Sequence, residues 1–469
     1  MNAPITRLYV LVLVLFGALV FATSWWTVFG AKGLEDNRFN RRELLEEARI
    51  KRGLIKAADG SVLARSVPAR GDTFRRTYPA GELFGHAIGY SFTDLGRSGL
   101  ERFRNDPLTG ESPEEITGVL DQLRGRAREG DDVLTTLDPE AQRAAVDALG
   151  GERGSIVALD PRSGAVRVMV SVPQFDPNDY PRQSRALNRA EGSPLLNRAT
   201  QGRYPPGSTF KVVTAAAALD SGEFSPDSVV NGDTGKVISG VPLANSGGSS
   251  FGDIDLTTAL TNSVNTVWAE VAERLGKRTM GRYMTRFGFY AKPPLDYPAD
   301  ERAASGEYAN GRLLSPESDA IDVGRMGIGQ DKLQVTPLQM AMVAAAVANG
   351  GELARPHLTA RVVDRDGRTT DEGGGEETRV MKASTAETLA GMMSNVVREG
   401  TGTAAALQGI DVAGKTGTAE VGGSNQVWFI AFAPVERPRV AIAATVERTD
   451  GQGGTVAAPI ARQVMEALL

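Results

Sequence analysis

Three strings in this chain carry side chains suited to acyl transfer: Ser208-Thr209-Phe210-Lys211, Ser263-Val264-Asn265 and Lys415-Thr416-Gly417. Together they supply a nucleophilic hydroxyl, a second hydroxyl, an amide and two amines. Ser208 and Ser263 are 55 positions apart, and Ser263 and Lys415 are 152 apart. There is no cysteine, and the two histidines, His86 and His357, lie outside the strings. A serine that attacks a carbonyl needs a base to take its proton. With no imidazole at hand, that base must be a lysine held neutral.

Each string also has a plain structural reading. Ser208 alone would serve as a helix cap, and Ser263 and Asn265 would do the same for a following helix. Lys415-Thr416-Gly417 would be a solvated stretch of an ordinary antiparallel meander. Order, spacing and local context favour the chemical reading. Capping in particular leaves Lys211 unexplained, a charged residue inside an otherwise apolar segment.

The elements around the strings would position them. Tyr204-Pro205-Pro206-Gly207 is a turn signal, and residues 209–219 after it are rich in Ala and Val. This predicts a buried helix with Ser208 in its first turn. Positions i and i+3 share a helix face, so Ser208 Oγ and Lys211 Nζ are expected to meet. The helix start also offers N–H groups and a positive dipole end to a developing oxyanion. Within 256–276, Asp255 or Thr257 would cap one helix and 267–275 would form another. Ser263-Val264-Asn265 then occupies the joint, facing a cleft. The third string sits in a strand over 410–421, followed by apolar runs at 427–434 and 440–447. Gly417 removes a side chain where another backbone or a ligand must come close. An edge strand there could bind an extended peptide by strand addition.

Composition narrows the class. The 469 residues allow two or three domains, and 41% hydrophobic content fills their cores. Absence of cysteine excludes disulfides, thiol catalysis and Cys-based zinc sites. A net charge of −5 argues against nucleic acid as a partner. Two distant histidines supply no metal-ligand spacing, there is no Gly-rich phosphate loop, and no metal or other cofactor is expected. Residues 8–29 are uncharged over 22 positions, long enough to cross a bilayer, with Trp25 and Trp26 suited to its interface. A cleaved signal peptide is the competing reading. Arg7 lies on one side of the segment and Lys32, Arg38, Arg41 and Arg42 on the other, so charge does not set the orientation. The short N-terminal tail and the expected chemistry place the body outside the cell.

Past this segment, residues 34–129 are charged and Gly-punctuated, with a helical pattern near 113–128. A helix over 135–149 is entered through Asp138-Pro139. Short strands follow at 155–160 and 165–172, joined by Pro161-Arg162-Ser163-Gly164. The final helix, 456–469, would pack on a sheet formed with the later strands. The expected organisation is α+β, an antiparallel sheet flanked by helices, with a helical insert holding the first two strings. Residues 371–377, with three consecutive glycines, read as an acidic exposed loop of structural slack.

Taken together, these features resemble the class B penicillin-binding proteins, monofunctional peptidoglycan transpeptidases, and most of all their actinobacterial penicillin-binding protein A group. The resemblance extends beyond the three strings. Arg52-Gly53-Leu54-Ile55, Gly96-Arg97-Ser98-Gly99-Leu100-Glu101 and Leu108-Thr109-Gly110 resemble segments of that class's N-terminal pedestal. Asn197-Arg198-Ala199, Gly327-Ile328-Gly329-Gln330 and Thr336-Pro337-Leu338-Gln339 resemble segments of its transpeptidase domain.

The resemblance implies a penicillin-binding transpeptidase, serine β-lactamase-like fold in three parts. Residues 1–30 would be a short tail and transmembrane anchor, 31–150 a pedestal of dimerisation type, and 151–469 the transpeptidase domain. It implies that Ser208 attacks the bond between two terminal D-alanines of a stem peptide, with Lys211 as base. Ser263 and Lys415 would relay a proton to the leaving amine, and Asn265 would hold the substrate amide. Thr416, Gly417 and Thr418 would bind substrate, the threonine hydroxyls at its carboxylate, with an oxyanion hole from the N–H groups of Ser208 and Thr418. β-Lactams would acylate Ser208, and a membrane-embedded glycan polymerase is an implied partner. The alternatives are a D,D-carboxypeptidase or β-lactamase-type hydrolase with the same site, or a penicillin-binding sensor without turnover.

Overall fold

A computed structural model describes residues 3–26, 47–111 and 129–469. The helical pattern at 113–128 and the end of the apolar segment at 27–29 lie outside them. Helix α1, Ala3–Trp25, contains a 21-residue apolar span, Ile5–Trp25, with mean hydropathy 2.4. Its large side chains are exposed all round, so the helix offers bulk apolar surface that none of the other described residues covers.

Strands β1 (Ile55–Lys56), β2 (Val62–Pro68), β3 (Phe74–Thr77) and β4 (Asp132–Thr135) build a first sheet. The strand at Thr135 corrects the expected start of the next helix. Helix α2, Pro139–Leu149, begins behind Asp138, whose carboxylate accepts from the N–H groups of Glu140 and Ala141. Strands β5 (Gly154–Leu159) and β6 (Val166–Val172) follow. Helix α3, Lys211–Ser221, is buried almost throughout. Helix α4 is Leu256–Thr261, and α5 runs Asn265–Arg286 with a bend at Gly276, longer than its local apolar run. Helix α6, Pro337–Ala348, is buried on every side.

Two further strands, β7 (Thr359–Val363) and β8 (Thr369–Glu372), return to the first sheet, whose order is β8-β7-β4-β1-β2-β3. Val362 pairs with Val133, so the chain's late residues complete a sheet begun near its start. The stretch at 371–377 is therefore not slack. Asp371 lies in β8 and pairs with Arg104. A side chain at Gly373 would meet the Thr359 carbonyl, and one at Gly374 the His357 ring.

Helix α7 (Ala383–Arg398), strands β9 (Ala413–Val421), β10 (Ser424–Ala433) and β11 (Val440–Thr449), and helix α8 (Ala457–Leu468) complete the chain. The second sheet is antiparallel, in the order β9-β10-β11-β5-β6, which leaves β9 at an edge. Strand alternation divides its side chains. Val427, Phe429 and Ala431 pack with α2 and α8, while Trp428, Ile430 and Phe432 join the cluster that holds α3 and α6. Three layers result, helix, sheet and helix, and the strings meet where the second helical layer abuts β9.

Candidate active site

Ser208 stands on a 3₁₀ turn, Gly207–Phe210, that feeds directly into α3. The turn is braced from several sides. Gly207 N–H donates to Gly329 O at 3.0 Å, and Tyr204 exchanges backbone bonds with Val335. Trp428 Nε1 donates to Pro205 O at 2.9 Å, and Tyr204 OH donates to Glu447, which also pairs with Arg198. Gly207 adopts a φ of 53°, and a Cβ there would stand 2.7 Å from Thr418 O. Only glycine suits this position on both counts. A cleft of about 520 Å³ shares Tyr204, Arg198 and Glu447 with the brace, and none of the motif residues.

Lys211 is fully buried at the head of α3. Its Nζ donates to Ser263 O at 2.7 Å and Asn265 Oδ1 at 2.7 Å, and approaches Ser263 Oγ at 3.3 Å. The expected direct contact with Ser208 is not formed. Among the described residues the Ser208 hydroxyl, half-exposed, makes no hydrogen bond. The serine hydroxyl thus stays without a hydrogen-bond partner among the described residues, while the amine three residues on is held by the second string.

That second string is a strained joint. Ser263 has φ 58°, a left-handed conformation costing roughly 1–3 kcal/mol for a non-glycine residue. It persists because α4 and α5 are both anchored: Ser263 N–H donates to Leu260 O, Val264 N–H donates to Ala259 O, and Val264 is buried. The strain turns both the carbonyl and the hydroxyl of Ser263 toward Lys211. Asn265 opens α5 without capping it, since Val264 holds that position and its side chain caps nothing. The Asn265 amide instead spans Lys211 and Ala244 O.

Lys415 arrives on β9, also fully buried, and donates to Ser263 Oγ at 2.8 Å and Thr416 O at 3.1 Å. Ser263 Oγ therefore lies between two amines. Burial holds Lys211 well below the usual lysine range of 10.5, and the neighbouring Lys415 charge lowers it further. Burial brings Lys415 down to about 7. Two buried cations this close would repel one another, so the arrangement favours the neutral form of one amine over a doubly charged pair.

Gly417 approaches the nucleophile turn closely, as its Cβ would lie 2.6 Å from Pro206 O. The Thr418 hydroxyl accepts from Gly453 N–H at 3.1 Å. The Thr416 hydroxyl meets Thr401 Oγ1 at 2.6 Å. Sequence reasoning singled out neither Thr401 nor Gly453. Both lie in Gly/Thr-rich loops whose only local signal is a turn. All the sequence-derived site residues converge here: Ser208, Lys211, Ser263, Asn265, Lys415, Thr416, Gly417 and Thr418.

Comparisons with known proteins bear on this constellation. Residues 154–466 match the penicillin-binding protein transpeptidase domain, and 52–133 match the penicillin-binding protein A dimerisation domain. The chain is 35% identical to the peptidoglycan D,D-transpeptidase PbpA of Mycolicibacterium smegmatis, over 100% of this chain and 99% of the relative. It is 30% identical to the D,D-transpeptidase MrdA of Haemophilus influenzae, over 84% of this chain and 69% of that one. Among solved structures it is similar to penicillin-binding protein A of M. tuberculosis in a ceftriaxone acyl-enzyme complex. That match has TM-score 0.82 and 32% identity, covering 91% of this chain and 100% of the other.

Proposed function

The chain belongs to the penicillin-binding protein transpeptidases, and from that membership we propose a peptidoglycan D,D-transpeptidase that cross-links stem peptides through an ester on Ser208. The observation that carries the assignment to these residues is the convergence of two buried amines on one hydroxyl, with Lys211 Nζ 3.3 Å and Lys415 Nζ 2.8 Å from Ser263 Oγ.

In this reading Ser208 Oγ attacks the carbonyl between the terminal D-alanines, and neutral Lys211 takes its proton. The N–H groups of Ser208 and Thr418 receive the oxyanion. Collapse of the tetrahedral adduct breaks the amide bond. Ser263, between the amines, passes a proton to the leaving D-alanine. The amine of a second stem peptide then attacks the ester, forming the cross-link and freeing Ser208. Asn265 fixes the Lys211 amine and faces the substrate amide, while Thr416 and Thr418 hold the terminal carboxylate. Edge strand β9 gives an extended peptide a row to pair with. A β-lactam acylates the same serine, its ring opening in place of the amide.

Residues 1–30 serve as tail and single membrane anchor, with the body outside the cell. Residues 31–150 form the pedestal and 151–469 the transpeptidase domain, although α2 packs with the second sheet and β7 and β8 join the first. The exposed apolar α1 suits contact with a membrane-embedded glycan polymerase.

The test uses purified full-length chain in detergent. Labelled penicillin should attach covalently to wild type and not to Ser208→Ala, and labelling of the variant would overturn the nucleophile. Lipid-linked glycan strands should yield cross-linked dimers. Trimmed monomers alone would make the enzyme a carboxypeptidase.

A further inference from the structure

The motif threonines of β9 both have hydrogen-bond partners from outside the strand. Thr418 Oγ1 accepts from Gly453 N–H at 3.1 Å, which occupies a lone pair and leaves the hydroxyl proton available. Thr416 Oγ1 lies 2.6 Å from Thr401 Oγ1 and at the edge of reach, 3.5 Å, from Lys415 Nζ. A hydroxyl has one proton to give and two lone pairs to receive with. If Thr416 gave its proton to Thr401, it would present only lone pairs to an arriving carboxylate. If Thr401 gives its proton to Thr416, the Thr416 proton is free for that carboxylate, and each bond polarises the next.

We propose that Thr401 is a positioning residue that donates to Thr416 and so turns the Thr416 proton toward the substrate carboxylate. Thr401 comes from the loop after α7, not from a catalytic string. Its backbone N–H donates to Thr261 O, at the end of α4 two residues before Ser263. A Cβ at Gly454 would stand 2.4 Å from Thr401 O, so the loop after β11 presses on it as well. The residue is thus fixed by the segments that carry Ser263 and Thr418's donor, while the residue itself stays exposed beside Thr416. The inference rests on the transpeptidase reading above.

The experiment compares acylation of the full chain by a penicillin and by the methyl ester of the same penicillin, in wild type, Thr401→Val and Thr401→Ser. Loss of one hydrogen bond of ordinary strength corresponds to roughly a threefold to tenfold change. Thr401→Val should lose about that much in acylation efficiency toward the free carboxylate, mainly in the binding constant. Its rate with the ester should stay within about twofold of wild type, because the ester offers no carboxylate to lose. Thr401→Ser, keeping the hydroxyl, should recover most of the difference. Equal losses with acid and ester would overturn the proposal, since they would mean that Thr401 only props the Lys415–Ser263 pair. So would unchanged rates with both compounds, or a serine variant that melts like wild type yet fails to recover. A wild-type chain that no penicillin acylates would remove the transpeptidase reading itself, a result distinct from all three.

Discussion

Lys211 and Lys415 set the chemistry through their surroundings. If Lys211 is the base for Ser208, Lys211→Ala should lower the rate of penicillin acylation by about 10²–10⁴-fold while the protein still folds. A loss under tenfold, measured by rapid-quench labelling, would pass the role to another group. The same burial makes the amines visible in stability. With Lys415 held near 7, the unfolded chain carries a proton that the native chain lacks between about pH 7 and 10.5. Stability therefore rises with pH through that window, by at most about 1.4 kcal/mol per pH unit for each such lysine. Between pH 7 and 9, His86, brought down to about 4 by burial, is largely neutral in both states. Urea denaturation should show wild type gaining stability from pH 7 to 9 and Lys415→Met gaining less. A flat wild-type profile would mean that both amines stay charged in the fold. The residues with this chemistry were legible in sequence because acyl transfer without imidazole admits few side-chain types. Their contacts were not. Helical spacing pairs Ser208 with Lys211, yet Lys211 turns to Ser263 because the strained φ at that joint presents two oxygens to it.

The elements determine how tightly the nucleophile is held. Two glycines clasp the turn, Gly417 from β9 and Gly329 from the loop before α6. Gly329 has φ 78°, and a Cβ there would lie 1.9 Å from Gly207 O. Gly329→Ala must displace the Ser208 turn or distort its own backbone, and either move spoils an alignment on which attack depends. Acylation should fall at least about tenfold, while burial elsewhere in the fold predicts a cost of only about 1–3 kcal/mol in stability. Thermal melting and labelling on the same sample separate the two effects. An active Gly329→Ala would show that the turn tolerates movement. Period and turn signals found β9, β10, β11 and α8 to within a few residues, because each is a continuous apolar run bounded by breakers. Helix α5 outran its apolar stretch because tertiary packing carries it past Gly276.

At the scale of the whole molecule, the two halves are tied by chain crossing. Strands β7 and β8 lie more than two hundred residues after β4 yet share its sheet, and no local pattern announces a pairing of that range. Arg104 fastens the junction. Its guanidinium donates to Thr359 Oγ1 at 2.9 Å, pairs with Asp371, and approaches Asp296 at 3.5 Å. Asp296 in turn accepts from the N–H groups of Leu358 and Thr359, fixing the entry to β7. Removing Arg104 leaves a nearly buried carboxylate short of its counter-ion, at a cost of roughly 1–3 kcal/mol. Where that cost is felt distinguishes two kinds of molecule. In the chain begun at residue 47, beyond the anchor, Trp268 and Trp428 are the remaining tryptophans, both buried among the catalytic elements. If the first sheet and the catalytic layers unfold as one unit, Arg104→Ala moves the denaturation midpoint that these tryptophans report. If they unfold separately, the fluorescence midpoint stays put while only circular dichroism of the first sheet shifts. The shared sheet predicts the first outcome, with labelling by penicillin unchanged below the transition, because Arg104 touches none of the residues around Ser208.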